Sequence, residues 1–454
     1  MTDLRPFLPL FYAQYSAQNQ KHDALYSQWQ AAGAESFELQ FQNGRILSSR
    51  TWSDLEITML CAQKKGKSWR ATLETAQDIR ALSEWHQTSE RMMKSATVQS
   101  DPRPAFGDIP KYDVMPQSLF RYDPQVASLL PALVYHRAFQ TFQTLLKSGF
   151  LMDAVCTWHH GGRSWQETPL TFAWCDTHRF CFLPQTRIDE AISLFSPEFP
   201  KKRRFLAFSN DKLASIPPIH LWLEHLQTAM HASWIDWHLG QFDRIVLMPS
   251  VMARIVTWIL KYLPQLTSQD DLLHRDIILI DEPENPAFRL NGLIASDGTL
   301  CKSNPIIRKG NVTSFFQKSP SAAIFCPVLR AANVTVDAKT SQHDENYPIQ
   351  TTTQPQTPDV EFDMSPFVPE TISTRLPGKI LCIEHAQILA ADTSSPKLYL
   401  PNGAILCRNG QCIGHVVPPS QPLDLLNTIR QAVPVTDPIR IGGIAACGVA
   451  YEPT

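Results

Sequence analysis

The sequence predicts an α+β fold, with an N-terminal antiparallel sheet carrying covering helices and a C-terminal β-rich domain. Three observations lead there. Apolar and polar residues alternate over 36–71, the pattern of half-buried strands. Helical periodicity occupies separate stretches at Thr75–Lys94, Pro124–Leu146 and Ile219–His238. Short apolar runs at Arg244–Met248 and Ile277–Ile280 then read as buried strands of a second core. At about 150 residues per domain, 454 residues allow two or three domains, and the change of pattern divides the chain into 1–240 and 241–454.

Taken in order, the opening around Leu25, Tyr26 and Trp29 is polar and reads as helical. Phe37, Leu39 and Phe41 alternate with polar residues, and Asn43-Gly44 is a two-residue hairpin signal before Ile46. A second hairpin joins Leu55–Cys61 to Ser68–Thr72 through Lys64-Lys65-Gly66-Lys67, and the helix over 75–94 covers the sheet. Residues 98–123 are Pro-rich and loop-like. Strands at Leu170–Cys175 and Phe180–Leu183 follow the helix from Pro124, and Gly240 ends the helix that runs to His238. From Ser250 a further helix sets Val251, Ile255, Trp258, Ile259 and Tyr262 on one face. Residues 338–377 lack Gly and most large apolar residues, and read as a disordered or extended insertion. Strands resume at Lys379–Ile383 and Ala404–Cys407, with a tight turn at Asn409-Gly410 and a helix over Leu423–Ala432.

Composition narrows the function. Lys and Arg total 41 against 43 Asp and Glu, a net charge of −2, so no global field exists to hold a nucleic acid by counterion release. The first residues lack a basic segment and a small-residue cleavage pattern. The most apolar window, Ile245–Leu263, is interrupted by Pro249, Ser250, Arg254 and Lys261, short of the ~18 apolar residues that cross a bilayer. A cytoplasmic protein with no membrane or nucleic-acid partner is expected. Ten cysteines with no CxxC pair fit reduced thiols better than a disulfide frame.

The most specific pattern runs Ile280-Asp281-Glu282-Pro283, Gly292-Leu293, Ser296-Asp297-Gly298-Thr299 and Ile306-Ile307-Arg308-Lys309-Gly310-Asn311-Val312. With Phe242–Met248 and Pro249 before a helix, Ala332-Asn333-Val334-Thr335, and the hairpin Ile405–Gln411, this colinear set resembles the TldD/PmbA family. The N-terminal strands with their Gly-Lys hairpin look like that family's first domain.

The resemblance implies a chemistry and removes it at once. Catalytic members carry HExxxH on the helix after that Pro, with a later Cys as third zinc ligand, and the Glu serves as general base. The matching positions here are Thr257, Trp258 and Tyr262. An indole has no lone pair for a metal and no site to take a proton, and no HExxH or HExxxH occurs anywhere in the chain. The third-ligand Cys has no counterpart either: no Cys lies between Cys412 and Cys447, and Cys447 falls later than the pattern places it. The resemblance therefore implies the metal-free TldE (PmbA) type. Such a subunit carries no catalytic residue and no cofactor of its own, and pairs with a TldD-like zinc-bearing subunit in a peptidase complex that degrades or processes unfolded peptides.

Other residues carry weaker chemistry. Cys175, His178 and Cys181 have metal-like spacing, with Cys156, His159 and His160 upstream as a source of a fourth ligand; the alternative is a hairpin with partly buried thiols and an exposed His178. His220, Glu224, His231 and His238 share one face of the expected helix, which a solvated polar face explains more simply. Lys201-Lys202-Arg203-Arg204 reads as a solvated basic loop able to touch a phosphate or an acidic peptide. Asp281, Glu282 and Glu284 form a turn or a carboxylate pair. Two further readings stay open: a stand-alone homodimeric peptide-binding or scaffold protein of the same fold, and a hydrolase using Cys175 and His178 or the His220 face.

Overall fold

The computed structural model describes residues 24–43, 45–63, 68–74, 123–128, 131–149, 151–169, 179–210, 232–238, 241–267, 271–283, 285, 302–318, 324, 326–332, 368–389 and 395–453. The fold mixes helix and sheet, with strands in the majority and antiparallel pairing prominent. It divides into two units. The first comprises Met1–Glu198, Phe205–Ile216 and Asp281–Asn304; the second comprises Phe199–Arg204, Pro217–Ile280 and Pro305–Thr454.

One sheet collects β1 (Ala24–Gln42), β2 (Arg45–Gln63), β3 (Ser68–Glu74), β4 (Leu151–Pro169), β5 (Arg179–Ser196) and β6 (Phe199–Asn210), in the order β3-β2-β1-β4-β5-β6. Strand β1 pairs antiparallel with β2 on one side and β4 on the other. Alternation places Leu39 and Phe41 of β1 and Ile188, Ile192 and Leu194 of β5 in the buried set. Helices α1 (Pro124–Ala127) and α2 (Pro131–Lys147) precede β4. The Asp123 carboxylate caps α1 by accepting from Gln125 N at 2.8 Å, and Asp123 N donates to Thr186 Oγ1 of β5 at 2.8 Å.

Three expectations change in this unit. The opening with Leu25, Tyr26 and Trp29 is strand, because β1 is paired along both edges and that pairing outweighs local helical preference. The strands are long, β1 and β2 having 19 residues each, where the sequence pattern predicts short ones. The helix expected over Pro124–Leu146 is two pieces: Pro131 brings no N–H, so it begins a new helix instead of continuing one. The hairpin from β2 to β3 has the expected pairing, with Ala62 opposite Ser68. The helix over 75–94, the Pro-rich loop and the strand at 170–175 lie outside the described residues.

The second unit is built from β7 (Trp234–Ile235), β8 (Arg244–Leu247), α3 (Pro249–Lys261), α4 (Leu263–Leu266), β9 (Ile277–Asp281), β10 (Asn304–Arg308), β11 (Asn311–Val312), α5 (Ser314–Lys318) and β12 (Pro327–Ala331). It continues through α6 (Pro369–Arg375), β13 (Lys379–Ile383), β14 (Gln387–Leu389), β15 (Lys397–Tyr399), β16 (Ala404–Arg408), β17 (Gln411–Val416) and β18 (Leu423–Asp424). It ends with α7 (Leu425–Gln431), β19 (Val433–Pro434), β20 (Ile439–Ile441), β21 (Ile444–Ala446) and β22 (Val449–Tyr451). Two larger sheets run β11-β10-β9-β12-β21-β20 and β19-β22-β8-β13-β16-β17-β7, with a small sheet β14-β15-β18.

Period two sorts the seven-stranded sheet into two chemistries. Leu247, Leu381, Ile383, Leu406 and Val416 join the main core with Val251, Ile255 and Ile259 of α3 and Ile277, Leu279 and Leu329 of the six-stranded sheet. Val246, Met248, Ile380, Cys382 and Ala450 face the other way and meet Ile372 of α6. That second face is tied down by polar contacts as well. Gly410, at φ +82°, closes the turn between β16 and β17 in a conformation that favours glycine, and its N–H donates to Ser373 Oγ of α6 at 2.8 Å.

Arg204 lies at the centre of these polar contacts. Its Nε donates to both oxygens of Glu384, at 3.0 and 3.1 Å, while Nη1 and Nη2 donate to the two oxygens of Glu370 at 3.1 and 3.3 Å. Arg204 is 1% exposed and both glutamates 4%. Burial opposes its charge, but Glu370 and Glu384 more than offset that, so its pKa is raised and it stays a cation. The basic run expected as a solvated loop is therefore strand: Lys201 is exposed, whereas Lys202 and Arg204 point inward and are buried. Lys202 Nζ donates to Ala232 O and sits 5.6 Å from the Trp234 ring.

Two further differences fall here. The sequence pattern predicts residues 232–238 as the end of a helix; instead Ser233 O and Ile235 O accept from His415 N and Val417 N, each at 2.9 Å, so β7 runs parallel to β17. The edge of β17 needs acceptors for those N–H groups, and pairing with β7 supplies them where a helix would not. Of residues 338–377, expected as a disordered or extended insertion, 338–367 lie outside the described residues, while Val368 is buried and α6 occupies 369–375.

Replacing Arg204 with Met leaves two carboxylates facing each other in the interior, and breaking such a buried pair costs about 3–5 kcal/mol. Urea denaturation of Arg204→Met is expected to show a loss of that size. Adding Glu370→Gln and Glu384→Gln to it is expected to recover part, because the stranded charges are then gone.

Candidate functional site

The helix on which the sequence resemblance concentrates is α3. Pro249 stands at its first turn, where its fixed φ suits helix entry and its missing N–H would have no partner anyway. Ser250 Oγ donates to Glu384 O at 2.6 Å and Arg254 Nη1 to Ala386 O at 3.2 Å, so the helix start is stitched to the chain that leaves β13.

Along α3 the three positions that the resemblance matches to the motif have separate fates. Trp258 is 6% exposed and lies in the main core, with its ring tilted 45° to that of Tyr262 at 5.6 Å. Its Nε1 is buried without a hydrogen-bond acceptor among the described residues. Thr257 is exposed and its Oγ1 donates back to Ala253 O at 2.9 Å, within the helix. Tyr262 ends the helix, half-buried, with Lys261 Nζ 5.2 Å from its ring. The position that the resemblance matches to a general base thus holds packed indole. The solvent side of α3 offers Arg254, Thr257 and Lys261, which can donate hydrogen bonds but supply neither a carboxylate nor an imidazole.

Beside the helix start stands His385. Burial, and then the charge of Arg254, hold its imidazole down at about 4. Its Nδ1 lies 3.5 Å from Asn402 Nδ2. Cys447, the last cysteine of the chain, is fully buried in the main core, and burial pushes its thiol up to about 12. Among the described residues, no three His, Cys, Asp or Glu side chains gather in a way that could hold a metal ion.

The remaining candidates separate along the sheets. Cys175 and His178 lie outside the described residues, as do His220, Glu224 and His231; His238 is exposed. Cys181 is in β5 opposite Trp165, while His160 stands opposite Thr186, five residues along the same strand. At about 3.4 Å per residue that is roughly 17 Å along the strand between the two backbone positions. Asp281 ends β9 and Glu282 follows it, both buried, and Glu282 accepts from Asn285 through its carbonyl at 3.1 Å and its carboxylate at 3.3 Å. That is the expected turn. The sequence reading missed the Arg204 cluster; its signal was the period-two register that puts Lys202 and Arg204 on the same face of the strand as Leu206 and Phe208. No helix among the described residues is long and apolar enough to cross a membrane.

Two outcomes test the packing of α3. Trp258→Ala is expected to cost about 3–5 kcal/mol, the usual loss for a large buried aromatic, whereas Thr257→Ala is expected to stay within about 0.5 kcal/mol; thermal and urea unfolding of both variants read the contrast. For His385, a folded pKa near 4 lies below the unfolded value of 6.5, so the unfolded chain takes up its proton first as pH falls. The stability this group contributes is complete above about pH 6.5 and declines toward pH 4. His385→Asn is expected to flatten that part of the stability profile.

No family model matches the chain, and no curated protein matches it. Solved structures do. TldE from Thermococcus kodakarensis superposes with a TM-score of 0.64 at 10% identity, over 97% of this chain and 98% of that one. A protein described as a candidate modulator of a DNA gyrase from Thermotoga maritima gives 0.62 at 10% identity, over 98% of each chain. A candidate modulator of DNA gyrase from Bacteroides thetaiotaomicron gives 0.59 at 13% identity, over 99% of this chain and 98% of that one. From end to end, this chain has the fold that TldE and these two proteins share.

Proposed function

We propose that the chain is a TldE-like, metal-free member of the TldD/PmbA family: the non-catalytic subunit of a cytoplasmic heterodimer whose zinc-bearing partner cuts unfolded peptides. The observation that carries this reading is Trp258. The residue at the general-base position is an indole packed into the main core, on a helix that otherwise keeps the setting expected for HExxxH. The fold shared with TldE over nearly the whole chain supports the same subunit type. In this role the chain shapes the chamber and holds substrate, and the partner supplies zinc, ligands and base.

Metal analysis and peptide-cleavage assays of the purified chain, alone and after co-expression with an HExxxH-bearing relative, test the proposal. The expected outcome is neither retained zinc nor cleavage for the chain alone, and a co-purifying complex that cleaves. Cleavage by the isolated chain would refute it. A homodimer that binds no HExxxH relative would favour the stand-alone scaffold instead.

A further inference from the structure

The second face of the seven-stranded sheet carries three thiols on neighbouring strands: Cys382 on β13, Cys407 on β16 and Cys412 on β17. All are free and buried, at 0%, 0% and 7% exposure. Cys407 and Cys412 face each other across the β16–β17 hairpin and cluster with Ile405 and Ala232. The turn between the strands has positive φ at both central residues, 48° at Asn409 and 82° at Gly410, the mark of a two-residue type I′ connection. In such a turn the flanking residues, here Arg408 opposite Gln411, form the hydrogen-bonded pair, which makes Cys407 opposite Cys412 the first non-hydrogen-bonded pair. The register shifts between Leu406 and Cys407, but the thiol pair lies on the turn side of that shift, where such pairs have Cα atoms about 4.5 Å apart, within the roughly 4.4–6.8 Å a disulfide spans. Cys382 stands opposite Ile405, diagonal to Cys407, whose thiol it meets in a side-chain hydrogen bond. Diagonal pairs lie about 7–8 Å apart, beyond that span.

We propose that Cys407 and Cys412 form a reversible thiol–disulfide site, closed by exchange with a small disulfide of the oxidised-glutathione class. The Cys412 thiolate attacks the disulfide and releases one small thiol; the Cys407 thiolate then attacks the mixed disulfide and releases the second. One S–S bond is lost and one gained, and the two protons leave on the two released thiols. Entry is through Cys412, the more exposed of the pair, next to the exposed turn residues Arg408, Asn409 and Gln411. Its hydrogen bond to Cys407, and then burial, hold the Cys412 thiol well above the usual range, so exchange waits on opening of the hairpin tip and is slow. This site is independent of the peptidase reading, because it uses neither α3 nor a partner subunit.

The test treats the native full-length protein with oxidised glutathione, alkylates the remaining thiols and digests with trypsin. Cleavage after Arg408 separates the two cysteines, so the disulfide appears as peptide 398–408 joined to peptide 409–430, two hydrogens lighter than their sum. We expect that species, with two of the ten thiols lost and restored by dithiothreitol. Cys412→Ala is expected to abolish it and Cys382→Ala to leave it. Absence of the linked peptides, their formation only in urea, a link through Cys382, or glutathione retained on Cys412 would each overturn the proposal. If a variant fails to fold, the peptide map of the unaltered protein still decides.

Discussion

The buried guanidinium of Arg204 is the constraint on which the second unit depends. It engages four carboxylate oxygens from two places far apart in sequence, the first turn of α6 and the residue that follows β13. A planar, permanently charged group with donors in a fixed fork can satisfy two carboxylates at once, and lysine could not. Glu384 then passes the restraint on, because its carbonyl accepts from Ser250 at the start of α3. A strand, two helices and the end of the central strand β13 are thus referenced to one side chain. Buried charge contributes little net stability; its effect here is to allow one arrangement of these segments.

The alternation of the seven-stranded sheet explains why two unlike environments lie one residue apart. Leu381 and Leu406 join the aliphatic core, while their neighbours Cys382 and Cys407 face the side closed by α6. A one-residue slip would send the thiols into the core and the leucines toward the ion cluster. The turn at Asn409-Gly410, with its bond to Ser373, opposes that slip.

Much of this was legible in the sequence, and the failures share a cause. The face of α3, the strands of 244–247, 277–281, 379–383 and 404–408, and the hairpin turn all follow from local pattern and turn chemistry. Trp258 was readable as a residue of the buried face of α3 from the helical period alone. What local pattern could not give was decided by partners distant in the chain. The opening strand is held by β2 and β4, Trp234–Ile235 by the edge of β17, and Arg204 by glutamates 166 and 180 residues away. Pro131 was a local signal left unused.

The pairing of β1 also sets the order in which the first sheet can assemble during synthesis. Its contacts with β2 close through a tight hairpin, but those with β4 set Ala31 opposite Ser164, across more than a hundred intervening residues. At ribosomal rates of about 5–20 residues per second, the interval between the two partners is on the order of ten seconds. Through that time the nascent hairpin shows one bare edge 19 residues long, a template for any other extended chain nearby. Early binding by a chaperone would protect yield without adding anything to the finished fold.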